Sequence, residues 1–196
     1  MDYEAMKREL SGRLKKSRYE HSLGVADTSA FLARRFGEDE TRARLAGLLH
    51  DCAREFPNEA MMAEADARGI AYGDVERESP LLLHAQLSAC RAKEIYGVDD
   101  AAILRAIERH TVGGAAMTAL DKIVYFADMV EPTRDYPAVE ELRRLAREAT
   151  LDEMTLAGLT RSLEFVLEKG QLIHPDTVLA RNELLLMQGG AGKGEK

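Results

Sequence analysis

The chain is short of the features that mark several protein classes. It has two cysteines, Cys52 and Cys90, far apart and in no metal-ligand spacing. That excludes a disulfide framework and a thiolate metal site, and it fits reduced thiols in a cytoplasmic protein. It lacks any long apolar run. The start, Met1 to Leu10, alternates charged with apolar side chains, so neither the apolar region of a signal peptide nor a membrane span is expected. Cations are in deficit, with 27 Lys and Arg against 34 Asp and Glu and a formal net charge of -7. This argues against duplex nucleic acid as a partner, because that binding needs a surplus of cations to neutralise phosphates. A small phosphorylated ligand stays compatible if a metal ion or converging arginines offset the acidic surface locally. Repeats and long linkers are also missing, and no segment alternates apolar with polar residues over strand length.

What is present is helical spacing of apolar residues along nearly the whole chain, which predicts an all-α fold in a single domain. Helices are expected over Tyr3 to Lys16, Arg18 to Phe36, Glu40 to Glu55, Asn58 to Arg68, Pro80 to Tyr96, Asp100 to His110, Thr118 to Val130, Ala138 to Glu148, Asp152 to Lys169 and Pro175 to Met187. Ser79 before Pro80 reads as an N-cap, and Gly37, Gly97 and Gly170 stand where helices should stop. Gly69 to Glu78 and Thr111 to Ala116 read as loops. The domain is expected to run from 1 to 188, with a polar, Gly-rich tail from Gly189 to Lys196 expected to be disordered.

Five histidines occur, at 21, 50, 84, 110 and 174. His21 shares a helix face with Val25 and Leu32, His84 with Leu81 and Leu87, and His110 with Ile103, Ala106 and Ile107, so all three should point into the bundle. His50 lies along a stripe of small residues, Ala46, Gly47 and Ala53, that leaves room for close approach. Asp128 is embedded in the apolar run from Ile123 to Val130, where an unpaired carboxylate would cost several kcal/mol. One inward histidine alone reads most simply as a hydrogen-bonded core residue. His21, His50, His84 and His110 together with Asp51 and Asp128, spread over helices that a bundle can bring together, match the shell of one or two transition metals. Imidazole and carboxylate without thiolate favour Fe, Mn, Co, Ni or Zn. Six side chains exceed the four of a structural zinc site and suggest a dinuclear centre with open positions. Cys52, Cys90 and the Met61-Met62 pair read as packing residues.

The pair His50-Asp51 in Leu-Leu-His-Asp, with His21 upstream and Asp128 downstream, resembles the signature of the HD-domain phosphohydrolase superfamily, and His84 and His110 resemble the added ligands of its dinuclear branches. More specific are Arg18-Tyr19-Glu20-His21-Ser22, His110-Thr111-Val112-Gly113, Asp121-Lys122, Glu131-Pro132-Thr133-Arg134 and Ile173-His174-Pro175-Asp176-Thr177. Together these resemble the YqeK-like branch, the bacterial symmetrical bis(5′-nucleosyl)-tetraphosphatases, over about Arg18 to Leu186. One departure is Arg54, where related sequences usually carry lysine.

The resemblance implies symmetrical cleavage of diadenosine tetraphosphate to two ADP, with iron the expected metal and Mn, Co, Ni or Zn left open, while the charge balance and the lack of an apolar span argue against nucleic-acid and membrane partners. The oligomeric state stays open, a homodimer included. On this reading His21, His50, Asp51 and Asp128 hold one metal, and Asp51, His84 and His110 the other, with Asp51 bridging and catalytic. Arg134, Lys122 and Arg54 would offset phosphate charge. Thr111 and Gly113 would line the loop beside the metal. His174 and Thr177 read either as a substrate-side wall or as a helix cap. The rival readings are nucleoside monophosphate hydrolysis, hydrolysis of (p)ppGpp, cyclic dinucleotide cleavage, a di-iron oxygenase, and a metal-bound sensor without turnover.

Overall fold

The computed structural model describes residues 1–191, with side chains described through residue 188. It is helical throughout, with no strand among the described residues. In chain order the helices are α1 (Tyr3–Arg13), α2 (Lys16–Phe36), α3 (Glu40–Leu49), α4 (Met61–Ala67), α5 (Asp74–Glu78), α6 (His84–Glu94), α7 (Ala101–Arg109), α8 (Ala119–Val130), α9 (Val139–Glu148), α10 (Leu151–Glu168) and α11 (Pro175–Ala191).

Side-chain caps fix several starts. Asp39 accepts from the Thr41 and Arg42 amides at α3, Asp100 from those of Ala102 and Ile103 at α7, and Thr118 and Asp121 form a capping box at α8. Such caps satisfy amides that the helix itself leaves unpaired, each worth about 1 kcal/mol. Gly37 ends α2 in the left-handed region at φ 74°, a conformation that a side chain would disfavour.

Helix α2 forms the middle of the bundle, packed on α3 and α8, with α7 bridging α6 and α8 and α10 covering α8 from the other side. Leu32, Leu48, Leu49, Ile107, Ile123 and Phe126 are fully buried between them, and burying each such side chain contributes about 1.5–3 kcal/mol. The α2–α3 crossing is unusually close. A Cβ at Gly47 would stand 2.8 Å from the Val25 carbonyl oxygen and 2.9 Å from the Ala26 Cα. The small stripe on α3 is therefore filled by the backbone of α2, and this brings the two helices' histidines together.

The expected helix over Glu40 to Glu55 is broken in its second half. α3 stops at Leu49, Asp51 adopts φ -110° and ψ 16°, and a 3-10 turn follows over Cys52–Glu55. Consecutive side chains on an α-helix point about 100° apart, so this break lets His50 and Asp51 face the same point. The expected helix over Asn58 to Arg68 begins as a 3-10 turn, Asn58–Ala60, before α4. The helix expected from Pro80 is 3-10 over Pro80–Leu83 and α-helical only from His84, and Ser79 makes no side-chain cap bond. The loop expected over Gly69 to Glu78 contains α5, held by Glu76 accepting from the Gly73 amide at 2.9 Å. α11 continues to Ala191, beyond the expected end; residues 192–196 of the expected disordered tail lie outside the described residues.

Candidate metal centre

Six side chains from five parts of the chain converge. His21 comes from the second turn of α2, His50 and Asp51 from the break after α3, His84 from the first residue of α6, His110 from the end of α7, and Asp128 from the last turn of α8. All but Asp128 are buried, and Asp128 is mostly so. Subsets of three, His21-His50-Asp51, His50-His110-Asp128 and Asp51-His84-His110, have one potential ligand atom each within 4.8 Å of one another.

Asp51 sits between two halves. Its Oδ2 is 3.4 Å from His50 Nε2 and 3.7 Å from His21 Nε2, while its Oδ1 is 3.2 Å from His84 Nε2 and 3.9 Å from His110 Nε2. Asp128 Oδ1 lies on the first side only among the close contacts, 2.9 Å from His21 Nε2 and 3.7 Å from His50 Nε2.

The other ring nitrogens determine the tautomers. His50 Nδ1 donates to the Gly47 carbonyl, His84 Nδ1 to that of Leu81 and His110 Nδ1 to that of Ile107, each three residues back, at 2.7, 2.5 and 2.7 Å. A carbonyl only accepts, so each of these Nδ1 atoms carries a proton, and in the neutral ring Nε2 then turns a lone pair into the cluster. His21 Nδ1 donates instead to Glu131 Oε1 at 2.9 Å. The Nε2 atoms of His21 and His50 are then 3.2 Å apart, and those of His84 and His110 3.0 Å. With both rings neutral, the lone pairs at that distance would repel, and a cation between them relieves this. Neighbouring ligands at right angles on one ion, with bonds of about 2.1 Å, stand about 3 Å apart. The donor set therefore fits divalent metal, with Asp51 within reach of both histidine pairs.

Without metal, burial and neighbouring groups compete at each titrating side chain. Burial opposes ionisation of Asp51, but the imidazoles of His50 and His84 hold its carboxyl well below the usual range. Burial opposes that of Asp128 too, but the His21 bond and the Arg134 charge keep it ionised. Burial, reinforced by His50 and His84, pushes His110 down to about 3, so it stays neutral.

Cations ring the cluster. Arg18 Nη1 is 2.7 Å from Asp51 Oδ2. Arg134 bonds to the Asp128 carboxylate and, through Nε, to its carbonyl at 2.7 Å. Arg54 is half-buried, feels both Asp51 and Asp128, and its guanidinium makes no hydrogen bond among the described residues. Lys122 stands differently from the expectation. Its Nζ pairs with Asp152 at 2.5 Å at the start of α10, and no close contact joins it to the cluster.

Thr111 Oγ1 lies 3.0 Å from His110 Nε2 and 3.3 Å from His84 Nε2. Gly113 instead serves packing: it has φ 73°, and a Cβ there would stand 3.3 Å from Leu159 and from Met117. His174 is both wall and cap. Its Nδ1 accepts from the Asp176 amide at 3.1 Å, its Nε2 bonds Glu76 at 2.9 Å, and the ring lines a cavity. Thr177 donates to the Val112 carbonyl at 2.9 Å, tying α11 to the loop after His110. Cys52 is buried, and burial pushes its thiol up to about 12, in keeping with a packing role.

Two cavities open on the cluster. One of about 1000 Å³ reaches His84, Thr111 and Arg134 and is walled by apolar side chains including Leu82, Val112, Tyr136, Phe165 and Ile173. The other, about 400 Å³ and more polar, is lined by Arg18, His21, Thr133 and Arg134. Sequence reasoning assigned no role to Arg18, Glu131 or Gly24. The usable signal was spacing: Gly24 follows His21, and Glu131 follows Asp128, by one helical turn on facing helices.

Residues 18–133 match the HD domain model. A symmetrical bis(5′-nucleosyl)-tetraphosphatase of Bacillus subtilis is 38% identical over 173 residues, 88% of this chain and 92% of the relative. One of Halalkalibacterium halodurans is 36% identical over 175 residues, 89% and 92% of the two chains. A crystal structure of an HD superfamily hydrolase from Clostridium acetobutylicum, described as involved in NAD metabolism, superposes with a TM-score of 0.90 at 39% identity, covering 95% of this chain and 98% of that one. The chain belongs to the HD-domain family, among its symmetrical bis(5′-nucleosyl)-tetraphosphatases.

Proposed function

We propose that the cluster holds two divalent ions, iron being the expected metal, and that the chain hydrolyses diadenosine tetraphosphate and related dinucleoside tetraphosphates to two nucleoside diphosphates. The observation that carries this reading is the sharing of Asp51 between two histidine pairs, beside a large apolar-walled cavity and ringed by arginines. One ion would take His21, His50, Asp51 and Asp128, and the other Asp51, His84 and His110. When bound, such ions acidify a water toward neutrality and withdraw charge from phosphorus.

The chain's own groups do the rest. The apolar wall, with the Tyr136 and Phe165 rings, offers a surface for one nucleoside. Arg134 stands where the two cavities meet, so a polyphosphate running from one to the other passes it. Arg54 and Arg18 offset charge on the phosphates, which matters because phosphoryl transfer depends mainly on positioning and electrostatic stabilisation. Water adds its oxygen to one inner phosphorus, the bond from that phosphorus to the central bridging oxygen breaks, and the departing diphosphate keeps the bridging oxygen. Thr111 lies close enough to hydrogen-bond a group held at the His84–His110 side.

No helix among the described residues is long and apolar enough to cross a membrane. With both cysteines free, we place the enzyme in the cytoplasm. The test is chromatography of the products formed from diadenosine tetraphosphate by anaerobically iron-loaded protein, with manganese and cobalt controls. ADP as the sole product is expected. AMP with ATP would move attack to an outer phosphorus, and no turnover with any metal would overturn the reading in favour of monophosphate hydrolysis or oxygen chemistry.

A further inference from the structure

Three of the four clustered histidines rest their Nδ1 proton on a backbone carbonyl, and His21 alone rests it on a carboxylate. That carboxylate belongs to Glu131, which is 0% exposed at the end of α8. Its remaining carboxylate bonds are neutral, from the Thr133 amide at 2.7 Å and the Thr133 hydroxyl at 2.5 Å; Arg134 Nε stands 4.0 Å away, and Arg143 Nη2 donates to the Glu131 main-chain carbonyl at 2.8 Å. Burial opposes its charge, and the His21 and Thr133 bonds hold it ionised. The fold also makes space for it. A Cβ on Gly24, one turn after His21, would stand 2.4 Å from Glu131 Oε2. Helix α2 thus omits a side chain at the one point where the carboxylate must fit to reach the ring.

The two halves of the cluster are consequently unequal in charge. The His21–His50 half has Asp128 as its own carboxylate, the shared Asp51, and Glu131 behind the imidazole. The His84–His110 half has the shared Asp51, two imidazoles whose Nδ1 atoms rest on backbone carbonyls, and the Thr111 hydroxyl. Arg134 on Asp128 and Arg18 on Asp51 offset part of the difference, but both guanidinium groups are about one-third exposed and Glu131 is not. A carboxylate behind a ligating histidine fixes its orientation and raises its basicity, and removing such a partner typically lowers metal affinity roughly 10–100-fold.

We propose that Glu131 makes the two metal positions unequal: the His21–His50–Asp51–Asp128 position fills first and holds its ion tightly, while the Asp51–His84–His110 position is weaker and exchangeable. The inference rests on the two-ion reading above. Glu131 is a positioning residue, acting through His21. The weaker position is the one that opens on the larger cavity, through His84 and Thr111, so its ion can enter together with the polyphosphate that it will neutralise.

The test is anaerobic titration of metal-stripped full-length chain with Co²⁺, followed by calorimetry and by the visible absorption of bound cobalt. The expected result is two steps whose affinities differ at least tenfold. Glu131→Gln should weaken the tight step tenfold or more and leave the weak step within twofold, whereas His84→Ala should remove the weak step alone. Gly24→Ala, which improves helix propensity but pushes on the carboxylate, should weaken the tight step like Glu131→Gln, with the helical circular dichroism retained. Two steps of equal affinity in the parent protein, or a Glu131→Gln protein whose tight step is unmoved, would overturn the ordering while leaving the two-ion site intact. Saturation at one ion per chain would instead refute the two-ion reading, and the ordering with it.

Discussion

Arg18 Nη1 lies 2.7 Å from Asp51 Oδ2, the same carboxylate oxygen that faces His21 and His50. The guanidinium therefore stands on an oxygen that an ion in the His21 half would need. An ion held by that oxygen would free Arg18, which is about one-third exposed and lines the smaller cavity, to face phosphate. Arg18→Ala should lower kcat/KM for diadenosine tetraphosphate about 10–100-fold, the worth of a charge-assisted hydrogen bond. Bound metal, measured by elemental analysis, should be retained or increased, because a competitor for Asp51 is gone. Loss of metal together with activity would make Arg18 a scaffold for Asp51 instead.

The two other cations make a contrasting pair. Arg134 touches Asp128 and lines both cavities, whereas Lys122 is paired with Asp152. Arg134→Ala should reduce kcat at least tenfold with metal content largely kept. Lys122→Ala should leave kcat and KM within twofold and cost at most about 1 kcal/mol of stability, as partly exposed ion pairs do. Steady-state kinetics on both variants would check this; equal losses from the two would contradict it.

At Gly47 two of the three nearest contacts are α2 backbone, at Val25 and Ala26, beside the Ser29 hydroxyl, so turning one side chain cannot relieve the close approach. Gly47→Ala should destabilise the fold by about 1–3 kcal/mol, despite alanine's better helix propensity. The cause would be separation of α2 from α3, so His21 and His50 should part and metal content should fall in step. Urea unfolding and metal analysis of one preparation measure both.

His110 provides a pH dependence with a definite sign. Its pKa falls to about 3 in the fold because it is buried beside His50 and His84, against about 6.5 in the unfolded chain. Below about pH 6.5 the unfolded chain binds a proton that the native metal-free protein refuses, so this residue alone removes about 1.4 kcal/mol per pH unit on acidification. His21 works in the opposite sense: burial lowers its pKa, but Asp128 and Glu131 raise it more. Its contribution is fully present below the unfolded pKa and is lost as pH rises through the folded one. The metal-free protein should thus be most stable near the ordinary histidine pKa. Melting temperatures across pH 5 to 8 should show that maximum, and His110→Asn should flatten its acid limb.

Much of this was legible in sequence because apolar periodicity survives wherever helices pack on a common core. The inward placement of His21, His84 and His110 followed from their neighbours at three and four residues. The break at Asp51 was not legible, since apolar and small residues continue through Ala53 and nothing in their pattern distinguishes an α-helix from a 3-10 turn. α5 was hidden for the opposite reason: it is too short and too polar to show a face. The partners of Lys122 and Glu131 are set by tertiary packing, 30 residues away for Asp152 and 110 for His21. No local pattern encodes such distances. Glu131 could be read only as part of a motif, its purpose becoming visible once Gly24 was seen to make room for it.

The proposed reaction puts water on an inner phosphorus of a symmetrical tetraphosphate at this cluster. Mass spectrometry of products formed in ¹⁸O-labelled water by the metal-loaded protein tests it most directly. ADP alone is expected, with one molecule in every two carrying a single ¹⁸O on its terminal phosphate and none labelled elsewhere. AMP and ATP as products, or label on an α-phosphate, would contradict it.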